Sequence, residues 1–412
     1  MTILVVDNGG YSVKYGFSSD NFPRISPNCI AKSVFERRTY IGSQISGCKD
    51  FSSLRFRRPI DRGYLVNWES EKAIWDYLFS QKDFRVDYSE TSLLVTEPPY
   101  NFPQLQSAYD QIIFEEYEFQ SYYRCIASSL VPWNNSEIYG TSKEMNGPRE
   151  FALVIDSGFS FTHVVPIILG DIQWKAVKRL NVGGKLLTNY LKEIISFRHY
   201  NIMEEFCLAD QIKKSCFFVS SNFNEDIEIS KGKKPGNVSI DYVLPDYSTN
   251  NQGFVLTSNS QRDMIKERQI LTLKNERFIV PEVMFNPSII NLSQAGIHEA
   301  IMQSLKLVES DFQELFLANI ILVGGNSFFK GYSERLKKEL QSLAPAYCKI
   351  VIYQPHNPDT FAWVGGSSLA CNTKIFDEKK VTRAEYMEYG SNIFLKKSGL
   401  NLNKEHDLVL YE

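Results

Sequence analysis

The sequence predicts an α/β protein built from two related halves. Three observations lead there. A short apolar run, Ile3-Leu4-Val5-Val6, ends in Asp7-Asn8-Gly9. A second, Phe151-Ala152-Leu153-Val154-Ile155, ends in Asp156-Ser157-Gly158, and the two aspartates stand 149 residues apart. Helical patterns fill the spaces between such runs. Each run reads as a buried strand closing on an Asp-polar-Gly turn. Repetition at one domain length indicates a duplicated unit. The length of 412 residues also exceeds what one core usually supports.

The elements follow in order. Asn67 can cap a helix that carries Trp68, Trp75, Leu78 and Phe79 on one face. Gly183-Gly184 opens a second helix with Leu186, Leu187, Tyr190, Leu191, Ile194 and Ile195 at helical spacing. Ile320-Ile321-Leu322-Val323 is a third strand, ending in Gly324-Gly325. Tyr332, Leu336, Leu340 and Leu343 mark a further helix. Segments 134–149, 220–235 and 247–268 read as long polar loops, suited to partner contacts or solvated surface.

Composition narrows the function. The net charge of −3 gives no basic surface for autonomous nucleic-acid binding. Arg55, Arg57, Arg58 and Arg62 are a local exception, read as a solvated face with a DNA-phosphate contact as the alternative. No apolar run approaches the ~20 residues of a membrane helix. The seven cysteines include no CxxC pair, so neither a zinc ribbon nor a redox motif is indicated, and a reducing compartment is expected. No GxGxxG follows the first strand, which argues against a dinucleotide-binding dehydrogenase.

The two Asp-Gly turns carry the chemistry. A glycine lets backbone approach a ligand closely, and successive N–H groups form a concavity suited to phosphate. Two such turns facing each other can grip a polyphosphate, with Asp7 and Asp156 holding Mg²⁺ through its waters and Lys14 adding a positive charge.

At these residues the sequence resembles the actin family. Asp7-Asn8-Gly9 through Lys14-Tyr15-Gly16-Phe17 looks like its first phosphate loop. Asp156-Ser157-Gly158 through Thr162-His163-Val164-Val165-Pro166 looks like the second. Arg58-Pro59-Ile60-Asp61-Arg62-Gly63, Thr96-Glu97-Pro98, Asn275-Glu276-Arg277-Phe278, Gly324-Gly325-Asn326-Ser327 and Trp363-Val364-Gly365-Gly366-Ser367 are similar too. Within the family, Gly63-Tyr64-Leu65-Val66-Asn67-Trp68, Asn181 to Asn189 and Asp241-Tyr242-Val243-Leu244-Pro245-Asp246 resemble the sixth class of actin-related proteins.

The resemblance implies the actin-like fold, two α/β domains around a nucleotide cleft. It places the first domain at 1–146 plus 361–412 and the second at 147–360, with an inserted loop at about 247–268. It assigns nucleotide contacts to Asp7, Gly9, Gly10, Lys14, Asp156, Gly158, His163, Gly184, Lys213, Gly324, Gly325 and Phe328. The metal would sit on Asp7 and Asp156, and no residue is assigned a catalytic role. The class implies a nuclear subunit, with a cytoplasmic pool, of a chromatin remodeller that exchanges variant histone dimers into nucleosomes. Its implied partners are the motor subunit's insertion, a zinc-finger HIT-type accessory subunit and the nucleosome, with no membrane.

The chain also departs from the family pattern. Gly10 and Tyr11 replace a hydroxyl residue and a glycine, so a large ring stands where backbone should pass close to phosphate. Ala127 stands at the catalytic-glutamine position and cannot orient a hydrolytic water. Phe159 and Ser160 replace an acidic residue and a glycine, Lys214 a ribose-binding glutamate, and Asp359 a lysine over the base. The expectation is ATP with Mg held structurally or an empty cleft, with negligible hydrolysis. The alternative is an actin-like protein with weak ATPase or phosphoryl-transfer activity. The subunit-contact stretch around Val34 to Ile41 is too short for a filament loop, so self-polymerisation is not expected. The tail 390–412 is a candidate contact surface.

Overall fold

The computed structural model describes residues 2–34, 37–48, 51, 54–134, 147–247, 252–256 and 268–397. Two sheets organise it. The first has six strands, in the order Val381–Thr382, Ser121–Ile126, Thr91–Glu97, Thr2–Asn8, Ser12–Phe17 and Arg24–Pro27. Thr2–Asn8 runs parallel to Thr91–Glu97 and forms an antiparallel hairpin with Ser12–Phe17. The second sheet has the order Asp171–Ile172, Thr162–Ile168, Phe151–Ser157, Ile320–Val323 and Ile352–Tyr353, and Lys178–Leu180 also pairs with Thr162–Ile168. Phe151–Ser157 again forms an antiparallel hairpin with the next strand and runs parallel to a later one.

The duplicated turn read from the sequence is visible in register. Asp7 pairs with Lys14 in the first hairpin, and Asp156 pairs with His163 in the second. Lys14 and His163 therefore hold equivalent positions. Both central strands are apolar on both faces because helices cover the sheets, and their interior residues are buried.

The predicted helices form for the predicted reasons. Asn67 accepts a bond from the Ser70 N–H at 2.8 Å and caps the helix Trp68–Phe79. Trp75, Leu78 and Phe79 enter the core of the first half. The helix Gly184–Arg198 buries Leu187, Leu191 and Ile195 in the larger core of the second half. The helix Tyr332–Leu343 buries Tyr332, Leu336 and Leu340 there as well, whereas Leu343 is exposed at its end.

The expected loops need correction. Segment 220–235 contains the helix Phe223–Ser230. Glu225 and Asp226 favour its first turn, and Phe223 packs edge-on against Phe278. Its charged pattern misled because the helix is short and its apolar side, Phe223 and Ile227, is only partly buried. In 247–268, Phe254–Val255 is a strand on Ile240–Val243, while 248–251 and 257–267 lie outside the described residues. Residues 135–146 of the 134–149 stretch also lie outside them. The tail begins as a helix, Asn392–Lys397, whose Ile393 and Phe394 join the first core, so that part is not free surface. The remainder, 398–412, lies outside the described residues, as do 35–36 of the shortened contact stretch.

The chain returns to the first half through the helix Phe361–Cys371. Its Trp363 donates from Nε1 to the Val5 carbonyl at 3.0 Å. Gly365 lies against the Leu130 carbonyl, where a Cβ would stand 1.9 Å from oxygen. Glycine is required because two backbones cross there in contact. All seven cysteines are free thiols, and among the described residues no helix is long and apolar enough to cross a membrane.

Candidate nucleotide cleft

The two Asp-Gly turns face one cavity of about 540 Å³. Every residue assigned to the nucleotide from sequence lines it: Asp7, Gly9, Gly10, Lys14, Asp156, Gly158, His163, Gly184, Lys213, Gly324, Gly325 and Phe328. Ala127, Ser128 and Ala362 line it as well.

The floor is a charged cluster. Asp7 ends the first strand, and the parallel neighbour brings Thr96 beside it. Thr96 Oγ1 donates to Asp7 Oδ1 at 2.8 Å and accepts from the Asn8 N–H at 3.0 Å. Lys14 Nζ lies 3.2 Å from Asp7 Oδ2. Among the described residues no cation is paired with Asp156. Burial, then the Asp7 carboxylate, push its pKa up to about 6, against Lys14 and a hydrogen bond from Ser128. A divalent cation between the two carboxylates would relieve that repulsion, which fits the metal assignment. His163 is buried, and burial together with Arg179 lowers its pKa to about 3. It is therefore neutral near neutral pH and supplies no charge to a phosphate.

The turns are less open than their sequence implies. The N–H of Gly158 donates to the Phe161 carbonyl at 3.0 Å, that of Gly184 to Gly158 at 3.0 Å, and that of Gly324 to Pro358 at 2.9 Å. These donors are committed within the chain. Gly324 is needed for its left-handed backbone, φ 91°, with the Ser157 carbonyl packed against it. Gly325 alone among the assigned glycines is open: a methyl group added there would meet nothing within 4 Å.

The nucleoside end fits a ligand poorly. Lys213 is buried and its ammonium is fully engaged: 2.8 Å from Asp210 Oδ1, 3.1 Å from the Gly184 carbonyl and 2.6 Å from Thr188 Oγ1. Lys214 pairs with Asp210 Oδ2 at 2.8 Å. The Tyr11 ring packs 5.2 Å from Phe159 between the two turns. Phe328, 54% exposed, remains available at the rim, whereas its neighbour Phe329 is buried. The two floor carboxylates thus suit a metal, whereas the turn donors and the lysines are already engaged within the chain.

Arg58 shows what the sequence reading missed. Its guanidinium does not belong to a solvated basic face. Nη1 donates to the Tyr11 carbonyl at 3.2 Å, and the group lies 5.2, 4.9 and 5.5 Å from the rings of Tyr11, Phe159 and Phe206. Asp210 was also missed, although its spacing to Lys213 and Lys214 is that of a helical ion-pair set.

Comparison with known proteins places this arrangement. The sequence profile of the family described as Actin matches residues 1–398. A protein named actin-like protein ARP6 from Cryptococcus neoformans is 40% identical over 417 residues, covering 96% of this chain and 84% of its own length. Actin-related protein 6 of Drosophila melanogaster is 38% identical over 393 residues, covering 94% of this chain and 97% of its own. Actin-related protein 6 of Neurospora crassa is 38% identical over 428 residues, covering 98% and 96%.

Proposed function

This chain belongs to the actin family, and from that premise we propose that it is a non-catalytic structural subunit of a nuclear chromatin-remodelling complex. In this reading the complex exchanges variant histone dimers into nucleosomes, and the chain links its motor and accessory subunits to the nucleosome. The partners are the motor's insertion, a zinc-finger HIT-type subunit, and histones and DNA met within the complex. The domain division at 1–146 plus 361–412 and 147–360 is part of the same reading. So are a nuclear location with a cytoplasmic pool and the lack of self-polymerisation.

One observation carries the non-catalytic part. Ala127 lines the cleft, and the family resemblance puts it at the position that would orient an attacking water, which a methyl group cannot do. Positioning is most of what a protein contributes to phosphoryl transfer, so its loss removes most of the rate. Near-full-length similarity to proteins named actin-related protein 6 supports the class assignment.

Mg and ATP would meet Asp7, Asp156 and Lys14 at the cleft floor, where the metal would supply charge neutralisation. A second reading, weak ATPase or phosphoryl transfer, is favoured only by the survival of those three groups. Two measurements test the choice. The isolated full-length chain should turn over no more ATP than buffer, with Asp156→Ala making no difference. Affinity purification from its own cells should recover it in constant ratio with a remodeller motor subunit and with histone-exchange activity. Steady turnover abolished by Asp156→Ala establishes the second reading instead. Recovery without motor or histones removes the chromatin assignment.

A further inference from the structure

The two halves meet through several side-chain contacts, Lys185 with Asp61 and Arg179 with Tyr64 among them, and one of these contacts lies at the cleft itself. Tyr11 follows the first turn. Its hydroxyl donates to Asp210 Oδ2 at 2.9 Å and accepts from Lys214 Nζ at 2.7 Å. Asp210 and Lys214 stand one turn apart on the helix Phe206–Cys216 of the second half. Lys214 Nζ is itself 2.8 Å from Asp210 Oδ2, so the three groups close a triangle. The same ammonium lies 4.2 Å from the Tyr11 ring centroid. Arg58 holds the tyrosine from the other side: it bonds the Tyr11 carbonyl and stacks on rings from both halves. These are charge-assisted bonds in a partly buried place, among the stronger that side chains make.

We propose that Tyr11, Asp210 and Lys214 form an intramolecular clasp that fastens the two halves of the cleft and takes over the bridging part of a bound nucleoside. The proposal rests on the reading of the chain as a non-catalytic actin relative, and it makes Tyr11 the residue that sets what the cleft excludes. It explains three features together. Lys213, kept from the family pattern, and Lys214, which stands in place of a glutamate, are turned to Asp210 and Tyr11. The glycine expected at position 11 has become a ring long enough to reach the opposite helix. Phe159 of the second turn supplies that ring with a packing surface. The protonation states suit the bonds. Burial and the Asp210 charge push the Tyr11 hydroxyl up to about 12, so it remains a donor. Burial opposes the Asp210 charge, but Lys213 and Lys214 overcome it and hold the carboxyl at about 2.

The test uses the full-length protein as wild type, Tyr11→Phe, Lys214→Gln and the double variant. Radius of gyration by small-angle scattering and the thermal midpoint are measured with and without Mg-ATP. Tyr11→Phe keeps the ring and removes only the hydroxyl. Lys214 is 56% exposed, so its replacement empties no core. The wild type should show the same radius with and without Mg-ATP. Each single variant should enlarge the radius and lower the midpoint by about 2 °C or more. The double variant should be little worse than the worse single, because both remove one unit. Unchanged radius and midpoint in both single variants overturn the clasp, as does a wild-type radius that contracts on adding Mg-ATP. Steady ATP turnover by the wild type would end the non-catalytic reading without touching the radius result, so the two failures are distinguishable.

Discussion

Glu71→Gln should stabilise the protein by roughly 2–3 kcal/mol at about pH 8 and by less than about 1 kcal/mol at about pH 5. Glu71 lies in the first turn of the helix Trp68–Phe79 and is fully buried. Asn8, Asn28 and Trp75 are its polar neighbours, yet neither carboxylate oxygen has a partner at ordinary hydrogen-bond geometry. Burial pushes its pKa up to about 7. The sign follows from proton binding. Between the unfolded value near 4.5 and the folded value near 7, the folded state holds a proton that the unfolded state has released. Stability therefore falls as pH rises through that window and levels off above it. Glutamine does not titrate, so its advantage grows over the same window. The favourable place of a negative charge in a first turn trims the gain by about 0.5 kcal/mol. Urea unfolding of both proteins across that pH range measures the difference. Parallel stability curves would sink the argument. The variant should still lose some stability with rising pH, because the Asp110 and Asp156 carboxyls are both pushed up to about 6, chiefly by burial.

Gly365→Ala should destabilise the fold by at least about 3 kcal/mol, the upper part of the range for overpacking. The new methyl would stand 1.9 Å from the Leu130 oxygen and 2.7 Å from its carbonyl carbon. Both are backbone atoms, so no rotamer change relieves the clash. The helix Phe361–Cys371 would have to lift away from Leu130, loosening Trp363 from the Val5 carbonyl. Gly325→Ala is the matched control, since its methyl would meet nothing within 4 Å. Chemical unfolding of the two variants decides the matter: equal midpoints would show that the helix crossing is soft.

Much of the fold was legible because it rests on periodicity and caps. The strand-Asp-Gly repeat, the Asn67 cap and the helix after Gly183 all express local rules, and each element lies where those rules put it. The helix Phe223–Ser230 was illegible because it is eight residues long and mostly charged or polar, with an apolar side of little more than Phe223 and Ile227. The site divides in the same way. Its floor was legible through two aspartates at the ends of repeated strands. The Tyr11 contact was not, because residues 199 positions apart in sequence are joined only by the closing of the two halves. Arg58 misled for a related reason. A run of arginines suggests solvent, whereas three rings from separate elements make a lining for one of them.

The crossing at Gly365 and Leu130 gives the molecule a mechanical character. Two backbones touching without intervening side chains leave little room for sliding, so the helix Phe361–Cys371 is riveted to the rest of the first half. The contact across the cleft, from Tyr11 to Asp210 and Lys214, ties the second half to that rigid body. With the clasp closed, a displacement of one half carries the other with it, and the cleft does not work as a hinge.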